Sequence, residues 1–258
     1  MGEPVVVQNK AASSIKGGNL SILKQLFLNI CVKIRRLLPE QPCLLCGTPA
    51  QAAAWCAACD SALPYLHSAH CPVCALPTWD GAICGHCLRH PPHFKRTVAA
   101  YAYAFPLDKL VLAFKYGEKL HLANSLGDRL AQCVVVRPDC LVAMPLHPAR
   151  LRERGFNQSL QLARRIGQQL DLPVLPFACQ RVRNTPSQST LPWKERSKNM
   201  RKAFSCSADV AGKHIAVVDD VMTTGATLNE LSLVLLNAGA SEVSVWVVAR
   251  TLPHTGKR

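Results

Sequence analysis

Apolar residues recur with a helical period at Ile22, Leu23, Leu26, Phe27, Ile30, Ile34, Leu37 and Leu38, which predicts an amphipathic helix over 20–38 stopped by Pro39. Lys24, Lys33, Arg35 and Arg36 interrupt the stretch, so it is read as a helix packing on its own protein rather than as a membrane span or a membrane-surface helix. Beyond Pro91-Pro92 the pattern changes. Strands are predicted over 97–105, 141–144, 174–177, 214–218 and 243–249. Helices are predicted over 107–115, 124–133, 159–170 and 227–237. Strands alternating with helices imply an α/β fold, a mostly parallel sheet with both faces covered. Residues 180–202 hold few apolar side chains and many Arg, Lys, Ser, Thr, Asn and Gln, and are read as a long mobile loop.

Composition narrows the class. With 49% hydrophobic and 18% charged residues, a disordered polyelectrolyte is excluded and a buried core is affordable. Residues 1–19 carry no basic-then-apolar signal pattern, so the chain is expected to be cytoplasmic. The formal charge of +14 is not evenly spread: residues 144–202 hold twelve Lys or Arg against three Asp or Glu, a local +9. Cation concentrated on loops around one sheet end points to an anionic ligand.

Thirteen cysteines would be unusual for a cytoplasmic chain without a metal. Eight of them form four C-x-x-C pairs: Cys43/Cys46, Cys56/Cys59, Cys71/Cys74 and Cys84/Cys87. Two intervening residues let a tight knuckle aim both sulfurs at one ion, and two knuckles complete a tetrahedral S4 set, so two structural Zn²⁺ sites are expected. Disulfides lack an oxidising compartment, and a thioredoxin-like role for Cys71-Pro-Val-Cys74 lacks the strand-to-helix setting. Zinc is preferred to an iron–sulfur cluster on the paired-knuckle spacing. Which pairs share an ion, consecutive or crossed, stays open. His67, His70, His86, His90 and His93 are read as solvated or neighbouring groups rather than ligands, and Cys31, Cys133, Cys140, Cys179 and Cys206 as ordinary buried residues.

The most informative stretch is His214-Ile-Ala-Val-Val-Asp-Asp-Val-Met-Thr-Thr-Gly-Ala-Thr-Leu228. A buried strand runs into two adjacent acids, then a small-residue turn, then a helix. Open parallel sheets bind ligands past the carboxyl ends of their strands. The turn Thr223, Thr224, Gly225, Ala226, Thr227 suits a phosphate, because small side chains let the backbone approach and the helix start offers unpaired N–H groups. Asp219 and Asp220 suit sugar hydroxyls beside it, with a divalent ion balancing charge. A receiver-domain acidic pocket is the competing reading, but it would place the acids near a domain's start, and only 38 residues follow Asp220 here.

Val217-Val-Asp-Asp-Val221 followed by Thr223-Thr-Gly225 resembles the phosphoribosyl-pyrophosphate signature of type I phosphoribosyltransferases. With the cysteine segment, Arg154-Gly-Phe-Asn-Gln-Ser159, Gln188, Leu191, Arg196, Asn199, Ala203-Phe204 and the strand Val245–Arg250, the chain resembles the ComF (GntX-like) family over roughly 40–251. The resemblance implies a phosphoribosyltransferase-type parallel sheet flanked by helices, with a small N-terminal double zinc ribbon. The division would be a 1–40 extension, a 41–95 ribbon module and a 96–258 phosphoribosyltransferase-like domain. It implies that Asp219 and Asp220 hold the ribose hydroxyls, that Thr223, Thr224, Gly225, Ala226 and Thr227 hold the 5′-phosphate, and that phosphoribosyl pyrophosphate comes with Mg²⁺. The loop Pro145-Leu-His147, with Arg150, Arg152 and Arg154, would face pyrophosphate, and 180–202 would be the hood. Ala143 and Met144 depart from the family's Pro-Val-Pro-Leu-His at that loop.

Two functions follow as expectations. One, implied by the resemblance, is assistance in uptake, handling or utilisation of single-stranded DNA, with DNA-uptake machinery as partner. The basic loops and Phe156, Trp193 and Phe204 are candidates to track phosphates and stack bases. The other is an active phosphoribosyltransferase working on an unidentified small acceptor, displacing pyrophosphate through an oxocarbenium-like state, with His147 as the candidate base.

Overall fold

The computed structural model describes residues 41–50, 53–66, 69–117, 119–183 and 203–253. The helix expected over 20–38, Cys31, His67 and Trp193 lie outside these residues, as does most of the loop expected over 180–202. From Pro42 onward the chain forms one compact unit.

Two short helices, α1 (Ala57–Ser61) and α2 (Gly85–Arg89), belong to the cysteine segment. There follow β1 (Arg96–Ala102), α3 (Leu107–Tyr116), α4 (Leu122–Gln132), β2 (Cys140–Ala143), α5 (Pro148–Arg154), α6 (Gln158–Leu170), β3 (Cys179–Arg181), β4 (Phe204–Cys206), β5 (His214–Met222), α7 (Ala226–Asn237) and β6 (Glu242–Arg250). The main sheet has the order β1-β6-β5-β2 and every pairing is parallel. The register sets Ala143 beside Val218 and Val218 beside Trp246.

Burial on both faces explains why β5 and β6 read as nearly continuous apolar runs rather than alternating ones. Successive residues still point to opposite sides. Ala216, Val218, Trp246 and Val248 meet Leu107, Leu110 and Phe114 of α3, Leu122, Leu126 and Leu130 of α4, and Leu162 and Ile166 of α6. Ile215, Val217, Val245 and Val247 meet Leu228, Leu231 and Leu235 of α7, and the second half of the cysteine segment joins that layer through Cys71, Cys74, Cys87 and Phe94. The first half instead packs on the α3–α4–α6 side, burying Cys43, Trp55 and Leu63.

Three elements differ from the sequence expectation. The strand expected over 174–177 reduces to a single parallel bridge between Val174 and Leu141. Pro173 and Pro176 flank it and supply no N–H to extend a ladder. Residues 148–154, left unassigned by periodicity, form α5, started by Pro148 in the first turn and ended by Gly155 at φ 75°. Gln180 and Arg181, expected within the loop over 180–202, instead pair antiparallel with Ser205 and Phe204.

Candidate functional site

The cysteines sort into two tetrads, Cys43/Cys46/Cys56/Cys59 and Cys71/Cys74/Cys84/Cys87, so consecutive pairs share a centre. Within each tetrad all four sulfurs lie within 4.8 Å of one another. The Sγ separations Cys46–Cys56 and Cys74–Cys84 are both 3.7 Å. A tetrahedron with metal–sulfur bonds of ~2.3 Å has an edge of ~3.8 Å, so the sulfurs stand where zinc would hold them. The knuckles repeat in backbone detail. The N–H of Gly47 donates to Cys43 O and that of Ala75 to Cys71 O, and both residues are left-handed, at φ 77° and 55°. A left-handed residue directly after the second cysteine turns the chain back, and glycine does so without Cβ strain. Among the described residues no histidine joins either tetrad; His86, His90 and His93 are exposed. Of the remaining described cysteines, Cys140 and Cys179 are buried and Cys133 and Cys206 half-buried.

The acidic pair sits at the carboxyl end of β5. Asp220 forms an ion pair with Lys115 at the end of α3, Nζ to Oδ1 3.0 Å. That partner raises the Lys115 pKa against the opposing effect of its burial. Asp219 Oδ1 accepts from the Ser159 hydroxyl and from the Asp220 N–H, both at 2.9 Å. Burial and the neighbouring Asp220 charge nevertheless push its carboxyl up to about 7; the two hydrogen bonds and Lys115 resist. Two adjacent acids thus have different environments: one is ion-paired, and the other has its titration moved up toward neutral pH.

Ser159 reaches Asp219 because Asn157 begins α6 there. The Asn157 Oδ1 accepts from the Leu160 N–H (3.2 Å) while its Nδ2 donates to Met144 O (3.0 Å), tying the helix start to the end of β2. The turn from Thr223 runs to Gly225, the residue before α7, at φ 81°. The left-handed conformation demands glycine, and a Cβ there would also meet Met222 Cε at 2.7 Å, so the end of that side chain would have to shift. Thr224 Oγ1 accepts from the Ala226 N–H at 3.1 Å, and Ala226 and Thr227 open the helix.

His147 precedes α5 and its Nδ1 accepts from the Ala149 N–H at 3.2 Å. Arg150, Arg152 and Arg154 all lie on α5. Arg154 donates to the Tyr116 hydroxyl (3.2 Å) and stacks over that ring at 5.1 Å. Arg181 on β3 has its pKa lowered by burial and by Arg150 of α5, with Asp219 opposing, so arginines of two elements stand near the acids. Lys115 and Arg181 were not singled out from sequence: one ends a helix, the other stands in a basic run, and only the sheet brings them to the acids. Phe204 is buried and Phe156 packs against Phe114 at 6.0 Å, so neither is a free stacking platform. A cleft of about 480 Å³ adjoins the turn, lined by His86 and Arg89 of α2 and by His90, Phe94, Thr224 and Asn229.

Residues 34–88 match the double zinc ribbon domain and residues 157–257 the phosphoribosyl transferase domain. DNA utilization protein YhgH of Salmonella typhi is 36% identical over 221 residues, covering 81% of this chain and 97% of the relative. Competence protein F of Haemophilus influenzae is 31% identical over 90% of this chain and 94% of its own length. The chain belongs to the ComF family. Competence protein ComFC of Bacillus subtilis is 28% identical over 76% and 84% respectively. For this ComF-family chain the fold is therefore a phosphoribosyltransferase α/β sheet with two N-terminal cysteine tetrads of zinc-ribbon type. No helix among the described residues is long and apolar enough to cross a membrane.

Proposed function

We propose that this ComF-family protein binds phosphoribosyl pyrophosphate or a related phosphosugar, and in doing so assists the uptake, handling or utilisation of single-stranded DNA in the cytoplasm, alongside DNA-uptake machinery. The observation that carries the sugar-phosphate part is the Asp219–Asp220 pair at the end of β5, directly followed by a glycine-dependent turn into α7. Asp219 and Asp220 take the ribose hydroxyls, and Thr223, Thr224, Gly225, Ala226 and Thr227 take the 5′-phosphate. His147, Arg150 and Arg154 stand on the pyrophosphate side. Mg²⁺ would arrive with the pyrophosphate and neutralise its charge; the hard carboxylate oxygens of the pair are donors it accepts. Two Zn²⁺ ions would close the tetrads, holding together a 41–95 module whose small size leaves it little core of its own. The 96–258 portion is the sugar-phosphate domain, and 1–40 an extension.

The DNA part is supported by the relatives' names, DNA utilization protein and competence protein F, and by the +9 charge of residues 144–202. Backbone phosphate contact, rather than stacking on Phe156 or Phe204, is the mode that charge supports.

Calorimetry with phosphoribosyl pyrophosphate and Mg²⁺ tests the site. Saturable binding that disappears in the Asp219→Ala/Asp220→Ala variant, with two zinc ions retained, is expected; equal affinity in that variant refutes the assignment. Pyrophosphate release during the same titration would make the protein a transferase, the second reading. Fluorescence anisotropy with labelled single strands tests the DNA role. Affinity should fall steeply with salt, and its absence at micromolar protein would remove DNA as a partner.

A further inference from the structure

Arg250, the last residue of β6, is 3% exposed and lies between the second cysteine tetrad and the phosphate-type turn. Its Nε donates to Cys74 O at 2.7 Å. Its Nη1 donates to Met222 O at 3.0 Å, to Thr251 O at 2.8 Å and to Thr223 O. One planar guanidinium thus gathers carbonyls from a metal knuckle, the end of β5 and the first residue of the turn. Lysine, a point donor on a flexible stem, cannot copy that fork.

The same region is stitched in other places. Thr97 of β1 binds the knuckle through its N–H to Pro72 O (2.9 Å) and its hydroxyl to Val73 O (2.6 Å). The His93 N–H donates to Asn229 Oδ1 at 2.6 Å, joining the chain after α2 to the first turns of α7. The first tetrad makes its connections elsewhere. Asp60 pairs with Arg129 of α4 at 3.3 Å, and the Ala54 N–H donates to Ser125 at 3.3 Å.

We propose that Arg250 is a positioning residue through which the second zinc ribbon, and not the first, holds the Met222–Ala226 turn in its ligand-binding shape. The physical reason is electrostatic as well as geometric. Zn²⁺ with four thiolates carries a formal charge of −2, and Arg250 is a cation bonded to that knuckle. A loaded tetrad therefore retains the guanidinium in a site where an uncompensated charge is costly. Removing the metal releases the countercharge and loosens Cys74, and the guanidinium loses the anchor from which it holds Thr223.

The inference rests on the sugar-phosphate reading only for its ligand assay; its structural half has a separate measurement. Hydrogen exchange of the 222–226 amides is followed in the full-length protein and in Arg250→Met, Arg250→Lys, Cys84→Ser and Cys46→Ser, with zinc content read by mass spectrometry. Exchange in the turn should quicken at least tenfold in Arg250→Met and Cys84→Ser, less in Arg250→Lys, and within twofold of the parent in Cys46→Ser. Affinity for phosphoribosyl pyrophosphate with Mg²⁺ should fall in the same order. Equal effects of Cys46→Ser and Cys84→Ser, or an unchanged turn in Arg250→Met, overturn the inference; should Arg250→Met not fold, unchanged exchange in Arg250→Lys and Cys84→Ser does the same. A parent protein that ignores phosphoribosyl pyrophosphate while the exchange pattern holds overturns the function and leaves this coupling standing.

Discussion

Replacing Asp219 with Asn should stabilise the unliganded protein at alkaline pH while abolishing sugar binding. Burial and the Asp220 charge move the Asp219 carboxyl from 3.8 to about 7. Below about pH 4 both folded and unfolded chains carry the proton. Between about 4 and 7 only the folded state does, so stability falls as pH rises; above about 7 the loss is complete. At ~1.36 kcal/mol per pH unit the whole interval is on the order of 4 kcal/mol, of which ~2–3 kcal/mol falls between pH 5 and 8.5. Asparagine does not titrate, and its oxygen can still accept from Ser159. Thermal melts of parent and variant, without ligand or Mg²⁺, should therefore diverge with pH. The variant's advantage should grow by ~5–10 °C from pH 5 to 8.5, at roughly 2–4 °C per kcal/mol for a domain this size. A constant difference across that range, or a variant less stable at pH 8.5, would show that Asp219 is not held near neutrality. Binding should run the other way, with parent affinity rising toward pH 8 as the carboxyl ionises.

Other outcomes follow from the same geometry. Lys115→Met leaves Asp220 without its ion-pair partner, and urea unfolding at pH 7.5 should report a loss of about 2–3 kcal/mol, reduced from the fully buried case by residual solvent access. Gly225→Ala must hold φ 81° with a Cβ against Met222, so it should cost about 1–3 kcal/mol and weaken phosphosugar affinity at least tenfold. Chelation should release two zinc ions per chain, read with a colorimetric indicator, and lower the melting temperature; a single ion, or an iron chromophore, would contradict the two S4 sites.

The metal tetrads and the acid-turn signature were legible in the sequence because each is local. A C-x-x-C knuckle and a strand–acid–acid–turn–helix run are both specified within about 15 residues, and their chemistry follows from residue type and spacing. Long apolar elements were legible for the same reason: α3, α6 and α7 bury a periodic face, and β5 is a nearly continuous apolar run. The short α5 carries no buried residue and so has no periodic signal, while the strand expected at 174–177 failed because flanking prolines withhold the donors a ladder needs.

The pairing of knuckles was left open by spacing and settled by packing: the two halves of the cysteine segment lie on opposite faces of the sheet, each closing on itself. Likewise, nothing near Asp220 in sequence announces Lys115, more than a hundred residues earlier, nor does Arg250 advertise its bond to Cys74. Residue chemistry at short range determined which candidate ligand groups this chain presents. Which of two adjacent acids is ion-paired, which ribbon touches the turn, and which cation stands between them were decided only when parallel strands brought distant segments to one sheet end, because desolvation and Coulomb energy depend on distances that no local pattern encodes.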